Sequence, residues 1–169
     1  MRALFLVADE FEDVQFFSVA YRLSEEGYDI VVASNDEEDF VEGENGYILE
    51  DFLSLSDVSP SDYSVLVIPG GHSPERLRLW EDAVDITRIF AQEGTPIVAI
   101  GHGVQLLISA GTLDGKLVTC SPALRDDVKL AGASYRDEDT VVDGVLITAR
   151  DTESIPVLNG KLCKLLKSR

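Results

Sequence analysis

The sequence predicts one α/β domain over residues 1–169, built on a mostly parallel sheet with helices on both faces and carrying a sharp strand-turn-helix elbow at residue 101. Three observations predict it. Apolar runs of four to six residues recur along the chain, as strands buried on both faces require. Stretches with apolar residues at helical spacing separate them, so strands and helices alternate. The 169 residues, 45% of them hydrophobic, suffice for one substantial core and not comfortably for two.

Ala3 to Ala8 is the first strand, closed by Asp9-Glu10. Asp13 to Glu26 reads as a helix with Val14, Phe17, Ala20 and Tyr21 on its inward stripe; Glu12 and Asp13 suit its positive end and Gly27 stops it. Asp29 to Ser34 is the second strand. Residues 37–61 are polar and acidic and are broken by Gly43 and Gly46, which fits a small hairpin around Tyr47-Ile48-Leu49 and a surface excursion better than a helix. Val65 to Ile68 is a buried strand running into Pro69-Gly70-Gly71. Pro74 suits the first turn of a helix expected to continue to Glu93, with Leu77, Trp80, Val84 and Ile89 inward.

Pro96 to Ile100 is the next strand, and Val104 to Ala110, apolar nearly all round, reads as a helix buried in the domain. Lys116 to Thr119 is strand-like and Arg125 to Ala131 a short helix. Thr140 to Thr148 is a hairpin turning at Asp143-Gly144. Ser154 to Lys167 is a final helix, with Ile155, Leu158, Leu162, Leu165 and Leu166 at near-helical spacing.

A formal charge of −17, with basic residues concentrated only in Lys161 to Arg169, argues against nucleic acid and anionic membranes as partners. The Ala3–Ala8 run is too short for a signal-peptide core or a membrane span, and the expected location is the cytoplasm. Two cysteines, Cys120 and Cys163, give no disulfide framework and read first as small buried hydrophobes.

Sites in open parallel sheets form beyond the carboxyl ends of the strands. Three such ends carry unusual residues: Glu10 and Glu12, then Gly70-Gly71-His72, then Gly101-His102-Gly103. A sharp strand-to-helix turn strains its middle residue and needs small neighbours, while backbone amides nearby can form an oxyanion hole. Ala99-Ile100-Gly101-His102-Gly103 has this form, with Gly101 at the apex.

The stretch from Ala99 to Gly111 resembles the elbow of PfpI-type intracellular proteases, members of the class I glutamine amidotransferase-like superfamily that includes the parkinsonism-associated protein. Glu10-Phe11-Glu12-Asp13-Val14, Pro69 to Arg76 and Ser121 to Val128 also resemble family segments, in order and across essentially the whole chain. The resemblance implies a flavodoxin-like three-layer sandwich, assembly into dimers, trimers or hexamers, and no cofactor. It also implies a site made of an elbow cysteine, the following histidine, an acid from a neighbouring subunit and a glutamate touching the thiol. Position by position these become Gly101, His102, Glu75 and Glu12, with the amides of Gly70 and Gly71 as oxyanion donors. Ser121 stands where close relatives place an aromatic residue beside the pocket, and Cys120 is its neighbour. The implied activities are peptidase, glyoxalase-like or deglycase chemistry and chaperone-like protection, on small carbonyl or peptide ligands.

The glycine at the apex departs from that pattern. A thiolate at a helix N-terminus is the nucleophile in such a site, and glycine has no side chain to ionise. His102 would have to activate water instead, and loss of one member of a catalytic triad costs several orders of magnitude. Cysteine-dependent hydrolysis is therefore expected to be absent, while glycine relieves strain at the elbow and opens a small void. Three readings follow: a non-catalytic, pocket-retaining oligomer with a ligand-binding or protective role; a hydrolase or glyoxalase-like enzyme using His102 with water, Cys120 or a metal; or a cysteine enzyme into which Gly101 has been introduced. Glu12, His102 and Cys120 have zinc-type donor atoms, but no metal site is expected. Each candidate has a plainer role as well: Glu12 and Glu75 as acids in the first turn of a helix, His72 as a surface loop residue, and Cys120 as packing.

Overall fold

The chain runs β1 (Arg2–Leu6), α1 (Asp13–Glu25), β2 (Asp29–Ser34), β3 (Val41–Glu42), β4 (Ile48–Leu49), β5 (Leu53–Ser54), β6 (Val65–Ile68), α2 (Ser73–Leu77), α3 (Glu81–Glu93), β7 (Ile97–Ile100), α4 (Val104–Ala110), β8 (Leu117–Val118), α5 (Arg125–Leu130), β9 (Ser134–Tyr135), β10 (Thr140–Asp143), β11 (Leu146–Ala149) and α6 (Ile155–Lys167). This is a computed structural model, and it describes residues 1–37 and 39–169.

Seven strands form one sheet in the order β10-β11-β7-β6-β1-β2-β5, in which only β10 runs antiparallel to its neighbour. The parallel strands β2-β1-β6-β7-β11 have the 2-1-3-4-5 order of a flavodoxin-like doubly wound sheet. The chain winds to one side of β1 through β2 and to the other through β6, so the crevice at that reversal lies beyond the ends of β1 and β6. Strands β3-β4 and β8-β9 make two small separate ladders.

Helices cover both faces, which is why β1, β6 and β7 read as continuous apolar runs. Alternation along β1 sends Leu4 and Leu6 to a core shared with Ile86 and Phe90 of α3 and Leu106 and Leu107 of α4. Ala3 and Phe5 go to the opposite core, with Phe16, Val19 and Leu23 of α1 and Leu158 and Leu162 of α6. No helix among the described residues is long and apolar enough to cross a membrane.

Two expectations are corrected. On α1 the buried stripe is Phe16, Val19, Ala20 and Leu23, while Val14 and Tyr21 are exposed and Phe17 only partly buried. Apolar residues occupy two faces of this helix; the phenyl rings of Phe5, Phe11 and Phe16 interlock under the sheet and choose between them. The expected helix from Pro74 to Glu93 is two helices, because Trp80 is extended (φ −100°, ψ 122°) between them. The break sets Glu81 and Asp82 at a fresh helix N-terminus, where acids are favourable. Ile89, expected inward, is exposed; Ala83, Ile86, Thr87 and Phe90 make the inner face, with Val84 and Trp80 partly buried against the core.

Candidate functional site

The elbow forms as its spacing requires. Ile100 closes β7, Gly101 to Gly103 make one tight turn, and α4 begins at Val104. Gly101 has φ +58°, in the left-handed region where a side chain is strained. A Cβ built on it would lie 3.5 Å from the Arg150 carbonyl oxygen and 3.8 Å from Gln15 Nε2, ordinary contact distances. The site therefore has room for a side chain that the sequence does not supply. Gly103 is different, since a Cβ there would lie 2.5 Å from the Ile68 carbonyl oxygen; it is the small residue that lets α4 pass against β6.

Gly101 opens onto a cavity of about 280 Å³, whose walls also carry Glu12, Gly71, His102, Ser121 and Thr152. The ends of β1, β6 and β7 thus converge on one place. Ser121 is tied to the elbow by its amide, which donates to the Gly101 carbonyl at 3.3 Å. At the mouth, His72 Nδ1 lies 3.0 Å from Glu44 Oε1, with the imidazole largely exposed.

A directional chain of hydrogen bonds sets the floor. The Gly70 amide donates to Gln15 Oε1 at 2.7 Å, and Gln15 Nε2 donates to Thr152 Oγ1 at 3.0 Å. The Thr152 hydroxyl donates in turn to Glu12 Oε2 at 3.1 Å, which also receives the Gln15 amide at 2.6 Å. Glu12 is the N-cap of α1 and the terminal acceptor of this chain. Its helix-capping and cavity-lining roles coexist.

Several sequence-predicted residues sit differently. The Gly70 amide, expected as an oxyanion donor, is already taken by Gln15, whereas the Gly71 amide has no partner among the described residues and Gly71 lines the cavity. Cys120, expected beside the cavity, is not on its wall: the side chain is fully buried in the core with Val118 and Val128. Burial, with a smaller contribution from the negative charge of Asp127, pushes its thiol pKa up to about 12. Glu75 is exposed on the first turn of α2 and does not line the cavity of its own chain. Among the described residues no three His, Cys, Asp or Glu side chains are arranged to hold a metal ion.

Gln15, Thr152, Arg150, Asp151 and Glu44 were not legible as site residues. Gln15 leaves one trace, a polar residue on the buried side of an otherwise apolar helix. Thr152 leaves none, because it meets Gln15 across 137 positions of sequence. Glu10 is the one described non-glycine residue at positive φ (+62°), and its carbonyl receives the His72 amide at 2.9 Å, so local strain fixes the rim. Arg76 pairs with the Glu10 carboxylate across that rim, and this hydrogen bond holds the carboxyl below its usual range.

Chemically, the cavity offers a carboxylate, an imidazole, hydroxyls and a free amide, with no thiol and no other strong nucleophile on its wall. Its volume suits a ligand of a few heavy atoms.

The DJ-1/PfpI family profile matches residues 1–165. An uncharacterized protein of Archaeoglobus fulgidus is 47% identical over 167 residues, covering 99% of both chains. Deglycase PH1704 of Pyrococcus horikoshii is 41% identical over 167 residues, 99% of this chain and 100% of that one. Among solved structures, a two-domain protein of Anabaena variabilis with DJ-1/ThiJ/PfpI-like and ferritin-like domains superposes with a TM-score of 0.95 at 28% identity. The match covers 98% of this chain, which spans about half (48%) of that one. The extent of the sequence match, together with the doubly wound sheet and its elbow, places the chain in the DJ-1/PfpI family.

Proposed function

We propose that this protein is a pocket-retaining member of its family that binds a small carbonyl or peptide ligand, acts in the cytoplasm as an oligomer with a protective role, and performs no thiol chemistry. The observation that carries the reading is Gly101. The elbow, the imidazole of His102, the Glu12 carboxylate and the Gly71 amide surround a cavity whose apex bears no side chain. Cys120 is no substitute, since its thiol is buried away from the cavity and held protonated. The neighbouring-subunit role of Glu75 belongs to the same proposal: its exposure on α2 leaves the carboxylate free to reach another copy's His102, and light scattering that found only monomer would remove it.

A second reading is favoured by the deglycase names among relatives about two-fifths identical. In it His102 activates water against a bound carbonyl, with Glu12 holding the ligand. The two readings separate in assays of methylglyoxal consumption and peptide hydrolysis on this protein, Gly101→Cys and His102→Ala. The binding reading expects no turnover above background until Gly101→Cys is made. Turnover in the glycine form that disappears in His102→Ala would overturn it. The genomic codon at position 101 decides whether glycine is the native residue.

A further inference from the structure

We infer that the groove between the β10 sheet edge and the second half of α6 binds a small amphipathic anion, a carboxylate carrying an apolar chain or ring. The chain has 14 Lys and Arg against 31 Asp and Glu, so a cation has carboxylates to spare. Arg2, Arg22, Arg76, Arg88, Arg125, Lys129, Arg150 and Lys167 each take one. Of the six with no carboxylate within 4 Å among the described residues, three, Arg136, Lys161 and Lys164, line one cavity of about 550 Å³. Glu138 is the one carboxylate on that wall and, among the described residues, pairs with none of the three within 4 Å, so the wall keeps two positive charges in excess and its cations repel one another. An anion arriving from outside removes that repulsion, and charge-assisted hydrogen bonds would hold it.

Beside these charges the wall carries the hydroxyl residues Thr140 and Ser168 and an apolar face. Leu117 and Val142 are more than one-third exposed there, and Leu165 completes the face. Thr140 lies on the same wall, and its Oγ1 is buried with no hydrogen-bond partner. Lys161 already donates to the Thr140 carbonyl at 2.6 Å, which fixes its ammonium at the strand edge. An inorganic anion would leave the apolar wall wet, and a neutral hydrocarbon would leave the cations unpaired. A molecule with one carboxylate and an apolar body satisfies both, and the volume lies in the range of small-molecule sites. This inference is independent of the chemistry at the elbow, which lies on a different wall of the molecule's surface.

Sodium octanoate is the probe, titrated by calorimetry and followed by amide NMR. Saturable one-to-one binding is expected, with shifts centred on 136–142 and 161–168 and unchanged in Gly101→Cys. Octan-1-ol is expected to bind at least about tenfold more weakly, as is octanoate to the double variant Arg136→Gln/Lys164→Gln, whose altered side chains make no hydrogen bond among the described residues. Absence of saturation, equal affinity for octan-1-ol, or full affinity in the double variant would overturn the proposal. So would a fall in sedimenting mass in Val142→Lys without octanoate, which would assign the groove to a second copy of the chain. The octan-1-ol comparison uses the unaltered protein and stands even if the double variant fails to fold.

Discussion

Single side chains explain most of what is unusual here, and the glycines of the elbow show how differently two neighbours can be constrained. Gly101 is held by its φ of +58° alone, since a Cβ there would meet its neighbours only at ordinary contact distance, whereas Gly103 is held by contact with the Ile68 carbonyl. Gly101→Ala should therefore cost about 1–2 kcal/mol, the usual penalty of a side chain in the left-handed region. Gly103→Ala should cost more, at or beyond the top of the roughly 1–3 kcal/mol range of overpacking. Urea unfolding of the two variants checks this; equal losses would refute the assignment. Cys120 gives the second prediction at this scale. With its pKa raised from an ordinary 9 to about 12, the folded thiol stays neutral where the unfolded one ionises. Its contribution to stability is complete below pH 9 and is lost as pH rises toward 12, so the unfolding midpoint should fall over that window. Iodoacetamide at pH 8 should label Cys120 only after denaturation, and rapid labelling of the native protein would show that the cavity reaches it after all.

Elements become a site through the hydrogen-bond chain that joins α1, the end of β6 and the segment leading into α6. Gln15 is its centre, accepting from Gly70 and donating to Thr152. Gln15→Met would keep the bulk and leave the buried Gly70 amide without its acceptor, which costs about 1–3 kcal/mol. Thermal or urea unfolding should register that loss, and Gln15→Glu should restore the acceptor only in part, because it sets a second carboxylate beside Glu12. A Gln15→Met variant as stable as the parent would mean that water serves Gly70 equally well. This chain also marks the limit of what the sequence discloses. The strands, the elbow and the residues adjoining it, Glu12, Gly71 and His102, are legible because each lies at the end of a strand-like run, whereas Ser121 is legible only through the resemblance to the family's segments. Gln15 with Thr152, and the buried position of Cys120, depend on contacts between distant segments and carry no local pattern. The face of α1 is ambiguous for a related reason. Val14, Phe17 and Tyr21 make as good a helical stripe as Phe16, Val19 and Leu23, and only the packing of Phe16 against Phe5 and Phe11, which lie outside the helix, selects the second. Trp80 likewise fits a helical stripe, and its extended backbone follows from the acids after it starting a new helix.

The whole molecule carries a net charge of −17, and its response to salt depends on which of two opposed effects is larger. Screening weakens its ion pairs, but most join side chains that are largely exposed, such as Arg2 with Asp62 and Arg125 with Asp126, and pairs of that kind contribute about 0–1 kcal/mol each. Screening also relieves the mutual repulsion of carboxylates that outnumber cations by more than two to one, and this repulsion acts over the whole surface. Raising NaCl from 0.01 M to 1 M shortens the screening length from about 30 Å to about 3 Å, which removes the long-range repulsion before it removes contacts at 3 Å. Repulsion should dominate, and the unfolding temperature should rise by roughly 2–4 °C for each kcal/mol gained by a chain of this size. Sodium chloride is the right salt for the measurement, because sulfate would strengthen apolar burial independently of charge. The same screening should favour any association of one acidic chain with another, so light scattering across the NaCl series belongs beside the calorimetry. An unfolding temperature that falls steadily with NaCl at constant mass would show that the ion pairs outweigh the excess charge, and that the acidic surface is organised into stabilising networks.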